Sequence, residues 1–192
     1  MKYLYILFLV IVSHHVQSQC GTKKAYAIDD LSNEMADTTN VSILVNGAIN
    51  NDLSSVAQGL CGVKLKFKHP FMKELFIELI SPSGQKITLV GGDIVATNTQ
   101  LITWDVTFVP GSATAAPDLG FLDRWENDQL WQNLTTYTGQ YYPYQGDLEN
   151  FNIGTVNGTW TLRCIDFEDE GTGNLLSAQL IFCQDQGVFC GE

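Results

Sequence analysis

Residues 63–68 alternate strictly between an apolar side chain and a lysine. The apolar positions are Val63, Leu65 and Phe67, and the lysines occupy positions 64, 66 and 68. A period of two indicates a β-strand, because successive side chains of a strand point to opposite faces of its sheet. The segment is therefore predicted to bury one face and to expose the other to water.

Several other short segments resemble strands and are separated by turns rich in Gly, Pro and Asn. They span residues 42–46, 75–80, 86–90, 101–108, 159–164 and 176–182. In the last segment, the residues expected to face inward are Leu176, Ala178, Leu180 and Phe182. No segment keeps a 3.6-residue period, and each of the 17 glycines would cost about 1 kcal/mol inside a helix. The pattern predicts an all-β, jelly-roll-like β-sandwich, although residues 110–150 stay unassigned.

Length and charge limit the classes of function. A chain of 192 residues suits one domain, and 10 Lys and Arg residues against 21 Asp and Glu residues give a net charge of −11. A binder of nucleic acid needs a basic surface to neutralise phosphates, and anionic membranes attract basic segments. The composition disfavours both partners.

The first 18 residues have the three parts of a secretory signal peptide. Lys2 supplies the positive start, residues 3–12 are apolar, and Val16 and Ser18 are small residues that suit a cleavage site before Gln19. The apolar run is too short for a membrane span. The protein is predicted to be secreted or displayed at the cell surface.

Five cysteines remain after this cleavage, and an oxidising compartment favours disulfides. They are Cys20, Cys61, Cys164, Cys183 and Cys190. The odd number leaves one thiol unpaired within the chain, and the sequence does not determine the pairing. Cys164 has the inward parity of Trp160 and Leu162, so it is expected to be a small buried hydrophobic residue.

Cleavage also leaves His69 as the one histidine of the mature chain. Nucleophilic catalysis by Ser or Cys needs a histidine within hydrogen-bond reach of the nucleophile, and no such motif lies near His69. We expect a structural hydrogen bond at the end of a strand and no catalytic triad.

Three stretches, in order, resemble the P domain (Homo B domain) of subtilisin-like proprotein convertases. The first runs from Phe67-Lys68-His69 to Ser81-Pro82-Ser83-Gly84, the second from Tyr142 to Arg163 with Gly158-Thr159-Trp160-Thr161-Leu162, and the third from Asp166 to Leu175. Glu74 stands where the family usually has Asp. The region between 93 and 144 looks like P-like domains at the front of secreted Bacteroidetes surface proteins.

The resemblance covers residues 38–183, which it predicts to be a P-domain-like sandwich, also described as galactose-binding-like. The remaining parts are the signal peptide (1–18), an N-terminal segment (19–37) and a C-terminal linker (184–192). The resemblance implies a secreted, non-catalytic accessory or adhesion module within a larger protein. An alternative is an accessory domain that stabilises a subtilisin-like serine endopeptidase, in which case the catalytic residues belong to a neighbouring domain or protease partner.

Calcium is the cofactor that the acidic residues favour. Asp166, Glu168 and Glu170 alternate along one segment, and Asp123, Glu126 and Asp128 form a second cluster. Carboxylate oxygens are preferred calcium ligands, and the resemblance adds weight because some P domains bind calcium. The alternative is that both clusters are solvated and keep the protein soluble.

Aromatic residues of the unassigned stretch suggest a second ligand. Trp125 and Trp131 have polar neighbours, and an exposed ring of this kind stacks on a sugar, which would make the chain a binder of surface glycans. The alternative is that both rings fill the core or an interface.

Overall fold

The computed structural model describes residues 20–28, 37–92, 102–112, 124–127, 131, 135–168 and 171–191. These residues form strands and two short 3₁₀ turns, Met72–Glu74 and Leu148–Asn150, with no α-helix in the described part of the chain. The strands are β1 (Cys20–Thr22), β2 (Tyr26–Ile28), β3 (Asp37–Asn46), β4 (Leu60–Lys68), β5 (Leu75–Ile80), β6 (Lys86–Val90), β7 (Thr103–Phe108), β8 (Thr136–Tyr141), β9 (Gly158–Asp166), β10 (Gly173–Phe182) and β11 (Phe189–Gly191).

The strands build two sheets that bury a shared core, so the predicted all-β sandwich is confirmed. Sheet A has the order β1-β10-β4-β7-β8, with β2 also paired to β10. Sheet B has the order β11-β3-β9-β5-β6. Among the described strands, all pairs are antiparallel except β7 with β8, which run parallel. No helix among the described residues is long and apolar enough to cross a membrane.

Alternation places the core residues as the sequence predicts in most strands. In β4 the side chains of Leu65 and Phe67 are fully buried, and in β9 the same holds for Trp160, Leu162 and Cys164. Each inward strand face therefore contributes to one continuous apolar layer between the sheets.

Strand β10 corrects one part of the prediction. Its register against β4 shifts between Leu175 and Ser177, so the inward positions are Leu175, Ala178, Leu180 and Phe182, whereas Leu176 is only partly buried. A β-bulge inserts one extra residue and reverses the facing of every side chain on one side of it. Strict alternation through residue 176 could not reveal this.

Both ends of the described chain contribute strands to the sandwich. Strand β1 pairs with β10 and strand β11 pairs with β3, although the sequence reading assigned residues 19–37 and 184–192 to flanking segments. A disulfide between Cys20 and Cys190 joins these two edge strands and thus the two sheets. Three-residue strands are too short to display a recognisable alternation.

The second disulfide joins Cys61 on β4 to Cys183, which follows β10 in the same sheet. Cys164 is the remaining cysteine, and it is free and buried. Burial raises the pKa of its thiol to about 12, so the thiolate is not populated at neutral pH. The prediction that Cys164 acts as a small buried hydrophobic residue is confirmed.

Candidate functional site

Three ionisable side chains meet in the interior at the point where β4 and β9 end. They are His69, Glu74 and Asp166, and each is at most 2% exposed. We call these three residues the buried ionisable cluster. Such groups are rarely buried without a partner, so the cluster is the strongest candidate for a functional site in the interior.

Both ring nitrogens of His69 have partners. Nε2 lies 2.9 Å from Oδ2 of Asp166, and Nδ1 lies 2.9 Å from the carbonyl oxygen of Phe71 and 3.2 Å from its amide nitrogen. His69 directly follows β4 and precedes Pro70, so the chain turns back and places Phe71 beside the ring. The structural hydrogen bond predicted for His69 is confirmed.

Glu74 is less well satisfied than its neighbours. Neither of its carboxylate oxygens accepts a hydrogen bond within the described structure, and its closest cation is Lys73, whose Nζ lies 3.3 Å from Oε1. Burial raises the pKa of Glu74 to about 7, the negative charge of Asp166 adds to the rise, and Lys73 and His69 oppose it. Glu74 therefore titrates near neutral pH.

The backbone fixes the position of Glu74. The 3₁₀ turn Met72–Glu74 closes with the Glu74 amide donating to Phe71, and the amide of Phe167 donates to the carbonyl oxygen of Glu74 at 3.1 Å. The second bond ties the turn to the end of β9, where Asp166 lies. The two carboxyl groups and the imidazole therefore lie together where strands of both sheets end.

Lys73 connects the cluster to the surface. Its ammonium donates to Oε2 of Glu168 at 2.8 Å while it contacts Glu74. The hydrogen bond from Lys73 lowers the pKa of Glu168, which is about half exposed. Lys73 thus contacts one buried carboxylate, that of Glu74, and one half-exposed carboxylate, that of Glu168.

Two predicted calcium ligands that the structure describes, Asp166 and Glu168, each have another partner. Asp166 is the last residue of β9, and one of its oxygens is held by His69 while the other accepts no hydrogen bond. Glu168 pairs with Lys73, and the remaining candidates Glu170, Asp123 and Asp128 lie outside the described residues. Among the described residues, no group of three or more His, Cys, Asp or Glu side chains is arranged to hold a metal ion.

The two predicted glycan contacts are buried. Trp125 is 1% exposed and Trp131 is 6% exposed, and their rings stack on each other with centroids 5.1 Å apart. Trp104 packs edge-on against both. Neither indole therefore presents a free face to a sugar in this structure. Both rings instead fill the core, where large aromatic side chains contribute most to stability.

Asn127 is a buried polar residue that the sequence reading missed. It is 0% exposed, its Oδ1 accepts from Nε1 of Trp125 at 2.7 Å, and its Nδ2 donates to the carbonyl oxygen of Leu75 at 2.8 Å. Asn127 thereby joins the tryptophan cluster to the start of β5. A single Asn in an acidic segment gives no periodic signal that could have identified it.

The arrangement has limited chemical scope. The ring nitrogens of His69 contact Asp166 and the backbone of Phe71, and neither partner is a Ser or Cys nucleophile. Proton transfer to a ligand requires a group within hydrogen-bond reach of that ligand, and the cluster faces the interior. The described contacts tie the turn after β4 to the end of β9.

A search against protein-family models and against curated proteins found no match for this chain.

Proposed function

We propose that the chain is a secreted, non-catalytic, P-domain-like module that acts as an accessory or adhesion domain of a larger surface or secreted protein. The observation that carries the proposal is the enclosure of the His69–Asp166 pair, whose side chains are 0% and 1% exposed. In a catalytic site an imidazole and a carboxylate of this kind would open onto a ligand. Here they join the ends of β4 and β9.

Two features support an extracellular role. Two disulfides are formed among the described residues, and disulfides persist mainly in oxidising compartments. The signal-like segment 1–18 and the resemblance to P domains agree with this placement.

The alternative is an accessory domain for a serine endopeptidase. That role also needs a stable non-catalytic sandwich, so the two roles differ in the partner and in the neighbouring sequence. Calcium stays a prediction of the sequence; of its candidate ligands, Asp166 is held by His69 and Glu168 pairs with Lys73.

The deciding experiment is the recovery of the native protein from its own cells with an antibody against the sandwich. The precipitate is sized by immunoblot and treated with a fluorophosphonate probe, which labels active serine hydrolases. We expect a surface or extracellular protein without a labelled band. A labelled band in the same chain or in a tightly bound partner would replace the adhesion role with the endopeptidase role, and an intracellular location would overturn both.

A further inference from the structure

The outer face of sheet A concentrates positive charge on an acidic protein. Strand β4 exposes Lys64, Lys66 and Lys68 on this face, and Lys23, which follows β1, borders the same surface. These four residues, which we call the lysine face, are four of the 10 Lys and Arg residues of a chain whose net charge is −11.

The register of the strands places neutral polar residues and one aspartate beside the lysines. Lys66 lies between Ser177 on β10 and Asp105 on β7, and Lys64 lies between Gln179 and Thr107. Along β4 the lysines are two residues apart, so their Cα atoms repeat at about 6.6 Å on one face. The face therefore alternates cations with hydroxyl and amide groups.

Asp105 is the acidic residue of this face among the described residues. Its two carboxylate oxygens lie 3.2 Å from Nζ of Lys64 and 3.5 Å from Nζ of Lys66. One carboxylate cannot neutralise two ammonium groups, and the lysine side chains are 48% and 42% exposed. The local charge stays positive and accessible to solvent.

A cleft of about 290 Å³ opens on this face. Its lining includes Thr22, Lys23, Lys64, Asp105, Ser177 and Gln179. The Cys20–Cys190 disulfide anchors β1 beside β10, so the cleft wall that carries Lys23 is held in place. The volume is near the lower limit for sites that bind small ligands and suits one or two sugar units of a longer chain.

We propose that the lysine face binds an acidic polysaccharide through its carboxylate or sulfate groups. This inference rests on the proposed adhesion or accessory role and names its ligand class. The ammonium groups match the anionic substituents, and the flanking Ser, Thr and Gln side chains match sugar hydroxyls.

Nucleic acid is the other polyanion, and the observations disfavour it. Single-stranded nucleic acid is bound by aromatic side chains that stack on the bases. The described outer side chains of β4, β7 and β10 at this face are lysine, aspartate, threonine, serine, asparagine, glutamine and isoleucine, none of which is aromatic.

The test uses the full mature chain and oligogalacturonate as a polyuronate probe, with dextran as the neutral sugar control and an oligonucleotide as the phosphate control. Lys66→Gln is compared with Lys86→Gln, which removes the same charge from an exposed, ion-paired lysine of sheet B. We expect binding to oligogalacturonate in about 50 mM salt, and its loss in about 500 mM salt, where screening is strong. Lys66→Gln should weaken binding several-fold, Lys64→Gln/Lys66→Gln/Lys68→Gln by tenfold or more (about 1.4 kcal/mol), and Lys86→Gln should bind as the wild type does.

Three outcomes would overturn the proposal: no binding to oligogalacturonate in low salt, equal weakening by Lys66→Gln and Lys86→Gln, or tighter binding to the oligonucleotide. The same melting curve for all variants establishes that they are folded. If binding fails while the native protein is found at the cell surface without a labelled hydrolase, the lysine face is excluded and the module role stands.

Discussion

The buried ionisable cluster and the lysine face place their ionisable groups in opposite environments. The cluster hides His69, Glu74 and Asp166 from water, and His69 contacts both Asp166 and the backbone of the adjoining turn. The lysine face exposes its ammonium groups and offers them one carboxylate, that of Asp105. A buried charge contributes to the fold or costs stability, whereas an exposed charge is available to a ligand. The difference locates recognition at the outer face of sheet A and structure at the ends of β4 and β9.

The largest effect is expected from removing the imidazole of the cluster. His69→Ala leaves the Asp166 carboxylate buried without its partner, and such a loss costs about 3–5 kcal/mol of unfolding free energy. Urea unfolding at neutral pH measures the change. Asp166→Asn, which keeps an oxygen that accepts from Nε2, should cost less than Asp166→Ala. A loss below about 1 kcal/mol for His69→Ala would show that the enclosure is not structural.

The next effect concerns the pH dependence of Glu74. Its pKa is raised from 4.5 to about 7 in the folded state, so the folded protein holds this proton more tightly than the unfolded chain does. The protonated Glu74 contributes its full share to the free energy of unfolding below pH 4.5, and this share is lost as the pH rises through about 7. At 1.36 kcal/mol per pKa unit, the loss is about 3 kcal/mol.

Glu74→Gln removes this titration. We expect the variant to unfold at the same denaturant concentration as the wild type at pH 4.5 and at a higher concentration at pH 8. Glu168→Gln is the control at the other carboxylate of Lys73, and it should keep the fall in stability with pH. An unchanged pH profile for Glu74→Gln would contradict the raised pKa.

Substitutions in the lysine face, unlike those in the buried cluster, should weaken ligand binding and have little effect on the free energy of unfolding. Lys64→Gln/Lys66→Gln/Lys68→Gln removes two exposed ion pairs, each worth at most about 1 kcal/mol. Thermal unfolding of the variant should therefore resemble that of the wild type. A large drop in melting temperature would mean that these lysines serve the fold and would erase the contrast with the cluster.

The smallest effect is expected from calcium. Because His69 holds Asp166 and Lys73 holds Glu168, we expect the melting temperature to be the same in EDTA and in excess calcium. A lower melting temperature in EDTA that disappears in Asp166→Asn would instead establish the calcium site predicted from residues 166–170.

The strands of the sandwich were largely predictable, because alternation reports which side chain meets the core. It located β5 and β6 and found the cores of β4 and β9. It missed β8, whose segment Thr136–Tyr141 has Thr, Gly and Gln at most positions and thus little apolar contrast. It also missed the bulge in β10, since a register shift depends on the partner strand.

The site was less predictable than the fold. His69 and Asp166 are 97 residues apart in sequence, and only the pairing of β4 and β9 with their neighbours brings them to 2.9 Å. Glu74 had no signal apart from replacing the Asp of the resembling family. The alternation of residues 63–68 predicted that three lysines share an exposed face. The positions of Lys23 and Asp105 beside them depend on strand pairing and were not predictable.

One titration compares the two regions directly. Oligogalacturonate is titrated into the wild type, Lys66→Gln and Glu74→Gln at pH 7, with each protein shown to be folded. If the lysine face binds the ligand and the buried cluster serves the fold, Lys66→Gln weakens binding several-fold and Glu74→Gln binds as the wild type does. Loss of binding in folded Glu74→Gln, with full binding in Lys66→Gln, would contradict this prediction and move recognition to the buried cluster.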